Sequence, residues 1–154
     1  MRGPELLARV RELTGGDPCV PAATDRIAAV PGAYILLIRL EQPVRFSRPA
    51  LGDALLTGWL AYVGSARGSG GLHARLGRHV RPGRTVRWHV DELTNAAAEM
   101  TALAIGGGSE CALVEQLVRS GRFVPAMAGF GSSDCRHCTA HLLRPVTWSE
   151  AGGG

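Results

Sequence analysis

Several side chains of this 154-residue chain have types and spacings that chemistry uses. Two short segments join a tyrosine to a glycine: Gly32–Tyr34 (GAY) and Tyr62–Gly64 (YVG). A phenol with its ordinary pKa near 10 is a poor base at neutral pH, and works in proton transfer only beside a cation or a metal-linked water. Arg75 and His79 are four residues apart, hence one turn apart on a helix. The guanidinium fork of such an arginine matches phosphate oxygens. His89 and Asp91 alternate within WHVD and share one face if that segment is extended, where they could orient one another or hold a metal. A cap or turn role for Asp91 fits equally well. Cys135, Cys138 and His141 stand at C-x2-C-x2-H spacing, and thiolates with imidazole can form part of a zinc site. A structural site takes four ligands, so Cys111 or Cys19 would have to complete it, and the chain lacks the second matched pair that usually does so. Zinc is therefore the weaker reading of this segment. A redox role for it is weaker still, because the cysteines do not follow a strand and open a helix.

The elements that must position these groups can be read from periodicity. Pro4–Leu13 sets Leu6, Leu7, Val10 and Leu13 on one helical face, predicting a short amphipathic helix packed on the main body. Thr14–Pro31, with three prolines and two glycines, reads as a linker. Gly32–Leu40 is nearly all apolar and suits a central strand covered on both faces. After the turn-rich Gln42–Asp53, Ala54–Gly64 reads as a second strand with a bulge or bend at Gly58. The glycine-dense Ser65–Gly71 leads into a helix from Leu72 to Val80, stopped by Pro82–Gly83, with Leu72, Leu76 and Val80 toward the core and Arg75 and His79 on a neighbouring face. Thr85–Leu93 reads as short extended or turn-like chain and Ala96–Ile105 as a third strand. A second core helix is predicted over Glu110–Arg119, a loop over Val124–Arg136 and a last strand over His141–Val146. Together these predict an α+β fold with residues 1–30 as helix and linker, 31–148 as the domain and 149–154 as a disordered tail.

Composition narrows the function. Its 45% hydrophobic content is globular, and the longest apolar run, Ala33–Ile38, is far shorter than the roughly 20 residues that cross a bilayer. The N-terminus lacks the apolar core of a signal peptide, which predicts a cytoplasmic protein with reduced cysteines. A net charge of +4 and a pI of about 9.3 are compatible with nucleic-acid binding. All 17 basic residues are arginine, which either favours forked phosphate contacts or reflects a composition bias that would also enrich Ala and Gly.

The order of segments carries more information than any one of them. A strand with GAY, a strand with YVG, a helix with an arginine, a third strand and a helix with a glutamate resemble the GIY-YIG nuclease superfamily. The run YVGSARGSGGLHARLGRH, followed by WHVDEL, SEC and GFGSSDC with a following HL, is similar to a branch of uncharacterised prokaryotic GIY-YIG proteins, some fused to endonuclease III. The resemblance covers about Gly32–Val146. It implies a small central three-stranded antiparallel sheet flanked by helices, as an α/β sandwich. It also implies a divalent-metal-dependent nuclease that hydrolyses phosphodiester bonds, of DNA more than RNA, in repair or related processing.

Carried over residue by residue, the resemblance makes Tyr34 the tyrosine near the attacking water and Tyr62 its partner. Arg75 would hold the scissile phosphate, and His79 would stand where the family relays protons. One glutamate would be the sole protein ligand of Mg²⁺ or Mn²⁺: Glu110, in SEC, or Glu115, in LVEQLV. Five residues apart on a helix, these point about 140° apart, so only one can face the tyrosines. Gly64, Ser65, Arg67, Arg78 and His89 are the expected substrate contacts. The motifs depart from the family consensus at Ala33 and Val63. Further polar positions, Ser65, His89, Asp91, Ser132, Ser133 and Asp134, belong to the branch, the last three in a loop from Gly129 expected to fold against the active-site face. A non-catalytic nucleic-acid-binding module and a small zinc-stabilised interaction domain are the alternatives. In bland readings, Tyr34 and Tyr62 are core tyrosines with satisfied hydroxyls and Arg75 and His79 are surface residues.

Overall fold

A computed structural model describes residues 2–19, 27–80, 89–130 and 138–146, with only the backbone of 17–19. Among the described residues the architecture is α+β: a six-stranded antiparallel sheet in the order β1-β4-β2-β3-β6-β5, with four helices on its two faces. The sheet is larger than the three strands that the resemblance implies. Its centre is β2 (Gly32–Arg48) paired with β3 (Gly52–Ala66) and β4 (Glu99–Gly106). Three short strands complete it: β1 (Asp17–Cys19) on β4, and β6 (Leu142–Pro145) with β5 (Phe123–Pro125) on β3.

Alternation along β2 divides the core in two. Tyr34, Leu36, Ile38 and Leu40 point to one face, where they meet Leu72 and Leu76 of α2 (Gly71–Val80) and Val90 and Leu93 of α3 (His89–Ala96). Ala33, Ile35 and Leu37 point to the other, against Leu6 and Val10 of α1 (Gly3–Thr14) and Leu113, Val114 and Leu117 of α4 (Glu110–Arg119). Because both faces of β2 are covered, its sequence is a continuous apolar run, and each fully buried aliphatic side chain contributes about 1.5–3 kcal/mol.

Three departures from the sequence reading have physical causes. Thr14–Pro31 is not simply a linker, since Asp17–Cys19 pairs with Ala102–Ala104 of β4. The first strand runs through the expected turn as far as Arg48, because residues 41–43 bulge opposite Thr57 between the pairs Leu40–Gly58 and Val44–Leu56. That bulge accommodates Pro43, which has no N–H for the ladder, while Gly58 adopts φ 70° beside it. His89–Ala96 is a helix, not extended chain. Asp91 is consequently buried and bound to Arg78, whereas His89, two residues earlier on the helix, is exposed with its ring against Phe46 and Phe130. His79 shares its helix face with Arg75, as expected, but is fully buried.

Candidate functional site

The tyrosine–glycine segments are neighbours across one strand pair. Tyr34 is directly opposite Gly64, and Tyr62 is opposite Leu36, so both tyrosines share the α2 and α3 side of the sheet with ring centroids 6.3 Å apart. The register explains the glycine. A Cβ at position 64 would collide with the Tyr34 ring and hydroxyl, so the phenol can lie across its neighbouring strand only if that residue has no side chain.

Helix α2 supplies the next two groups. Its start is fixed by Leu72 donating its N–H to the Val30 carbonyl at 2.9 Å, an approach that a Cβ on Gly71, at φ 54°, would block. From this helix His79, fully buried, brings Nε2 to 2.8 Å from the Tyr34 hydroxyl. When the imidazole is neutral at Nε2, the phenol donates this bond. One turn earlier, Arg75 donates to the Ser65 carbonyl at 3.2 Å and also hydrogen-bonds the Tyr34 side chain.

Helix α4 supplies the carboxylate. Ser109 caps it, accepting the Ala112 N–H at 3.4 Å, and thereby sets Glu110 in the first turn, where the helix dipole favours negative charge. Glu110 acts electrostatically on both tyrosines, whereas Glu115 is exposed and paired with Arg119 at 3.0 Å on the outer face. Of the two candidate glutamates, Glu110 is the one whose charge is felt by the tyrosine pair.

Both phenols are held protonated. Burial raises Tyr34 far above its ordinary pKa, reinforced by Tyr62 and opposed by Arg75. Tyr62 is pushed up to about 12 by burial first and then by the Glu110 carboxylate, again against Arg75. At neutral pH each is a hydroxyl, able to donate one proton and accept another, and neither is a phenolate.

The remaining expected contacts divide. Arg78 forks onto Asp91 with two bonds of 2.9 Å, a charge-assisted pair that joins α2 to α3. Its hydrogen bond to Asp91 raises its pKa further. With Arg75, Arg78 also lines a concavity of about 160 Å³ at the start of α2. Arg67 is exposed and reaches the Gly108 carbonyl at 3.4 Å, bridging the end of β3 to the loop before α4. His89 is separated from Tyr62 by the Phe130 ring. Ser132, Ser133, Asp134 and Cys135 lie outside the described residues, and so does the expected helix stop at Pro82–Gly83.

His141 is a neighbour of the site that the sequence singled out only for zinc. It is 1% exposed, with Nδ1 3.4 Å from Glu110 Oε2 but not aligned for a hydrogen bond. Its backbone donates to Phe130 and accepts from Val63 of β3, which brings it beside Tyr62. No periodicity in the sequence signals this contact, because it joins the start of α4 to the chain entering β6.

The model of one protein family, described as "Domain of unknown function DUF123", matches residues 33–150. This chain belongs to that family. The DUF123 match includes Tyr34, Tyr62, Arg75, His79, Glu110, Glu115, Cys138 and His141. Comparisons with curated proteins and with solved structures found no match. Among the described residues, no helix is long and apolar enough to cross a membrane.

Proposed function

We propose that this protein is a nuclease of the GIY-YIG type, hydrolysing phosphodiester bonds of nucleic acid, DNA in the first instance, with the help of one divalent cation. The observation that carries this reading is the cluster of Tyr34, Tyr62, Arg75 and His79 drawn from β2, β3 and α2, with the charge of Glu110 from α4 bearing on both phenols. These are the residue types and the chain order that the resemblance calls for. A solvent-facing arginine and a chance core tyrosine would not be expected to share a hydrogen bond.

The donor set suits Mg²⁺ or Mn²⁺. Glu110 is about one-third exposed and its charge bears on both phenols, so a hard cation held by this single carboxylate would be welcome and could keep most of its waters. When bound, such an ion would supply charge neutralisation at the phosphate oxygens.

The chain's own groups do the rest. Arg75 presents donors beside Tyr34 for a phosphate oxygen and offsets charge that builds there. Because Tyr34 is protonated, it would work as a relay once bound substrate brings the attacking water to its oxygen: the oxygen would take that proton while its own passes to His79 Nε2, 2.8 Å away. Tyr62 is less buried and is the phenol better placed to meet substrate. This reading keeps the expectation of a cytoplasmic protein.

The test is cleavage of single-stranded, duplex and branched DNA, and of RNA, with Mg²⁺ or Mn²⁺ and with chelator. Metal-dependent strand scission is expected on at least one substrate. Cleavage that persists in chelator would contradict the mechanism. Binding that weakens steeply with salt but never leads to scission would favour the non-catalytic module instead.

A further inference from the structure

The nuclease reading leaves one cluster unused. Cys111, the second residue of α4, meets Cys138 and His141 on the chain leading into β6, and the three ligand atoms all lie within 4.8 Å of one another. Both cysteines are thiols. We infer that Cys111, Cys138 and His141 form a soft-metal site that binds zinc, separate from the Mg²⁺ or Mn²⁺ position at Glu110.

Three observations support this assignment. The spacing is close to what zinc needs: at ordinary Zn–S and Zn–N lengths, tetrahedral ligands stand about 3.6–3.8 Å apart, within reach of small side-chain rotations from 4.8 Å. His141 is 1% exposed, yet neither ring nitrogen has a hydrogen bond among the described residues. Leaving a buried polar group unsatisfied is destabilising, and a metal ion on one nitrogen removes that penalty. Finally, the Nδ1 to Glu110 contact of 3.4 Å is near the arrangement in which a metal-bound histidine turns its other nitrogen to a carboxylate. A Cys111–Cys138 disulfide would use the thiols but would leave the buried imidazole unexplained.

The imidazole is preorganised, since the His141 backbone is bonded to Phe130 on one side and to β3 on the other. Cys111 and Cys138 also line a cleft of about 610 Å³ between α4 and residues 138–140, which gives an ion a way in. Thiolate and imidazole ligands select zinc over Mg²⁺. Binding converts two thiols to thiolates and releases two protons to solvent, with no change of oxidation state. The ion would tie the first turn of α4, which carries Glu110, to the strand beside Tyr62.

The test uses the full chain without a histidine tag, produced in zinc-supplemented medium. The purified protein should retain about one zinc per chain, unaffected by excess Mg²⁺, and its Co²⁺-substituted form should show thiolate charge-transfer and visible bands. Cys111→Ser and Cys138→Ser should each weaken zinc affinity by more than about 100-fold. If either variant fails to fold, the wild-type chain still decides, because stripping its zinc should lower its melting temperature and make two thiols reactive. Wild-type protein with negligible zinc and no cobalt bands would overturn the site. So would a Cys111–Cys138 disulfide, or wild-type affinity in Cys111→Ser. Metal content and cobalt spectra are read without any nuclease assay, so failure here and failure of the nuclease reading are separate results.

Discussion

The hydroxyl of Tyr34 lies 2.8 Å from Nε2 of His79, although the two residues are 45 positions apart and on different elements. Both are closed off from solvent, and Arg75 lies beside the phenol. A buried hydroxyl–imidazole pair of this kind has both structural and chemical consequences, because its proton can move between two defined atoms.

Tyr34→Phe removes the hydroxyl and leaves His79 Nε2 without that partner. The expected cost is about 1–3 kcal/mol of stability, together with a loss of cleavage of about 100- to 10,000-fold. Chemical denaturation and a single-turnover cleavage assay measure the two. Undiminished cleavage in this variant would remove Tyr34 from the mechanism.

The chain contains two tyrosines, both in this site, so phenol absorbance reports on the site alone. With Tyr62 pushed up to about 12 and Tyr34 raised further by burial, the folded protein should show little phenolate as pH passes 10, whereas the denatured chain should titrate near 10. The sign follows from linkage. Folding favours the neutral phenols, so their contribution is fully present below about pH 10 and is lost as pH rises toward the folded values. Ultraviolet titration of folded and denatured protein checks this, and ionisation of either phenol near 10 in the folded state would contradict it.

Two glycine substitutions should move stability in opposite directions. Gly64→Ala sets a Cβ against the Tyr34 ring and should destabilise by about 1–3 kcal/mol while lowering activity. Gly77→Ala, inside α2 with open space around it, should stabilise by about 0.4–1 kcal/mol. Melting temperatures of the two variants give the comparison.

Asp91 has no solvent exposure and its carboxylate holds Arg78 with two bonds. Asp91→Ala should therefore cost about 3–5 kcal/mol, and adding Arg78→Leu should recover part of the loss by removing the stranded cation. Denaturation of the single and double variants measures the coupling, and simple additivity would mean that the pair is not a unit.

The central elements were legible in the sequence because their patterns are local. Gly32–Leu40 is apolar on both faces, and Glu110–Arg119 carries Leu113, Val114 and Leu117 at helical spacing, so the sequence marks both. Asp17–Cys19 and His89–Ala96 were misread because distant partners decide them. The first is a strand only by pairing with β4, and the second buries an aspartate whose charge is answered by Arg78 from another helix. At the site, the spacing of Arg75 and His79 on a helix was readable, but the burial of His79 against Tyr34 was not. Helical geometry says only that Glu110 and Glu115 diverge; that Glu115 pairs with Arg119 and that the charge of Glu110 bears on both phenols are features of the fold. His141 beside Glu110 joins two segments whose meeting no local pattern encodes.

The central claim is that one site built from Tyr34, Tyr62, Arg75, His79 and Glu110 holds a single catalytic cation. Anomalous scattering from a crystal soaked in Mn²⁺ tests it most directly. The account predicts one manganese peak within bonding distance of the Glu110 carboxylate, on the side of Tyr62. A peak at Glu115, or no peak near either tyrosine, would contradict it.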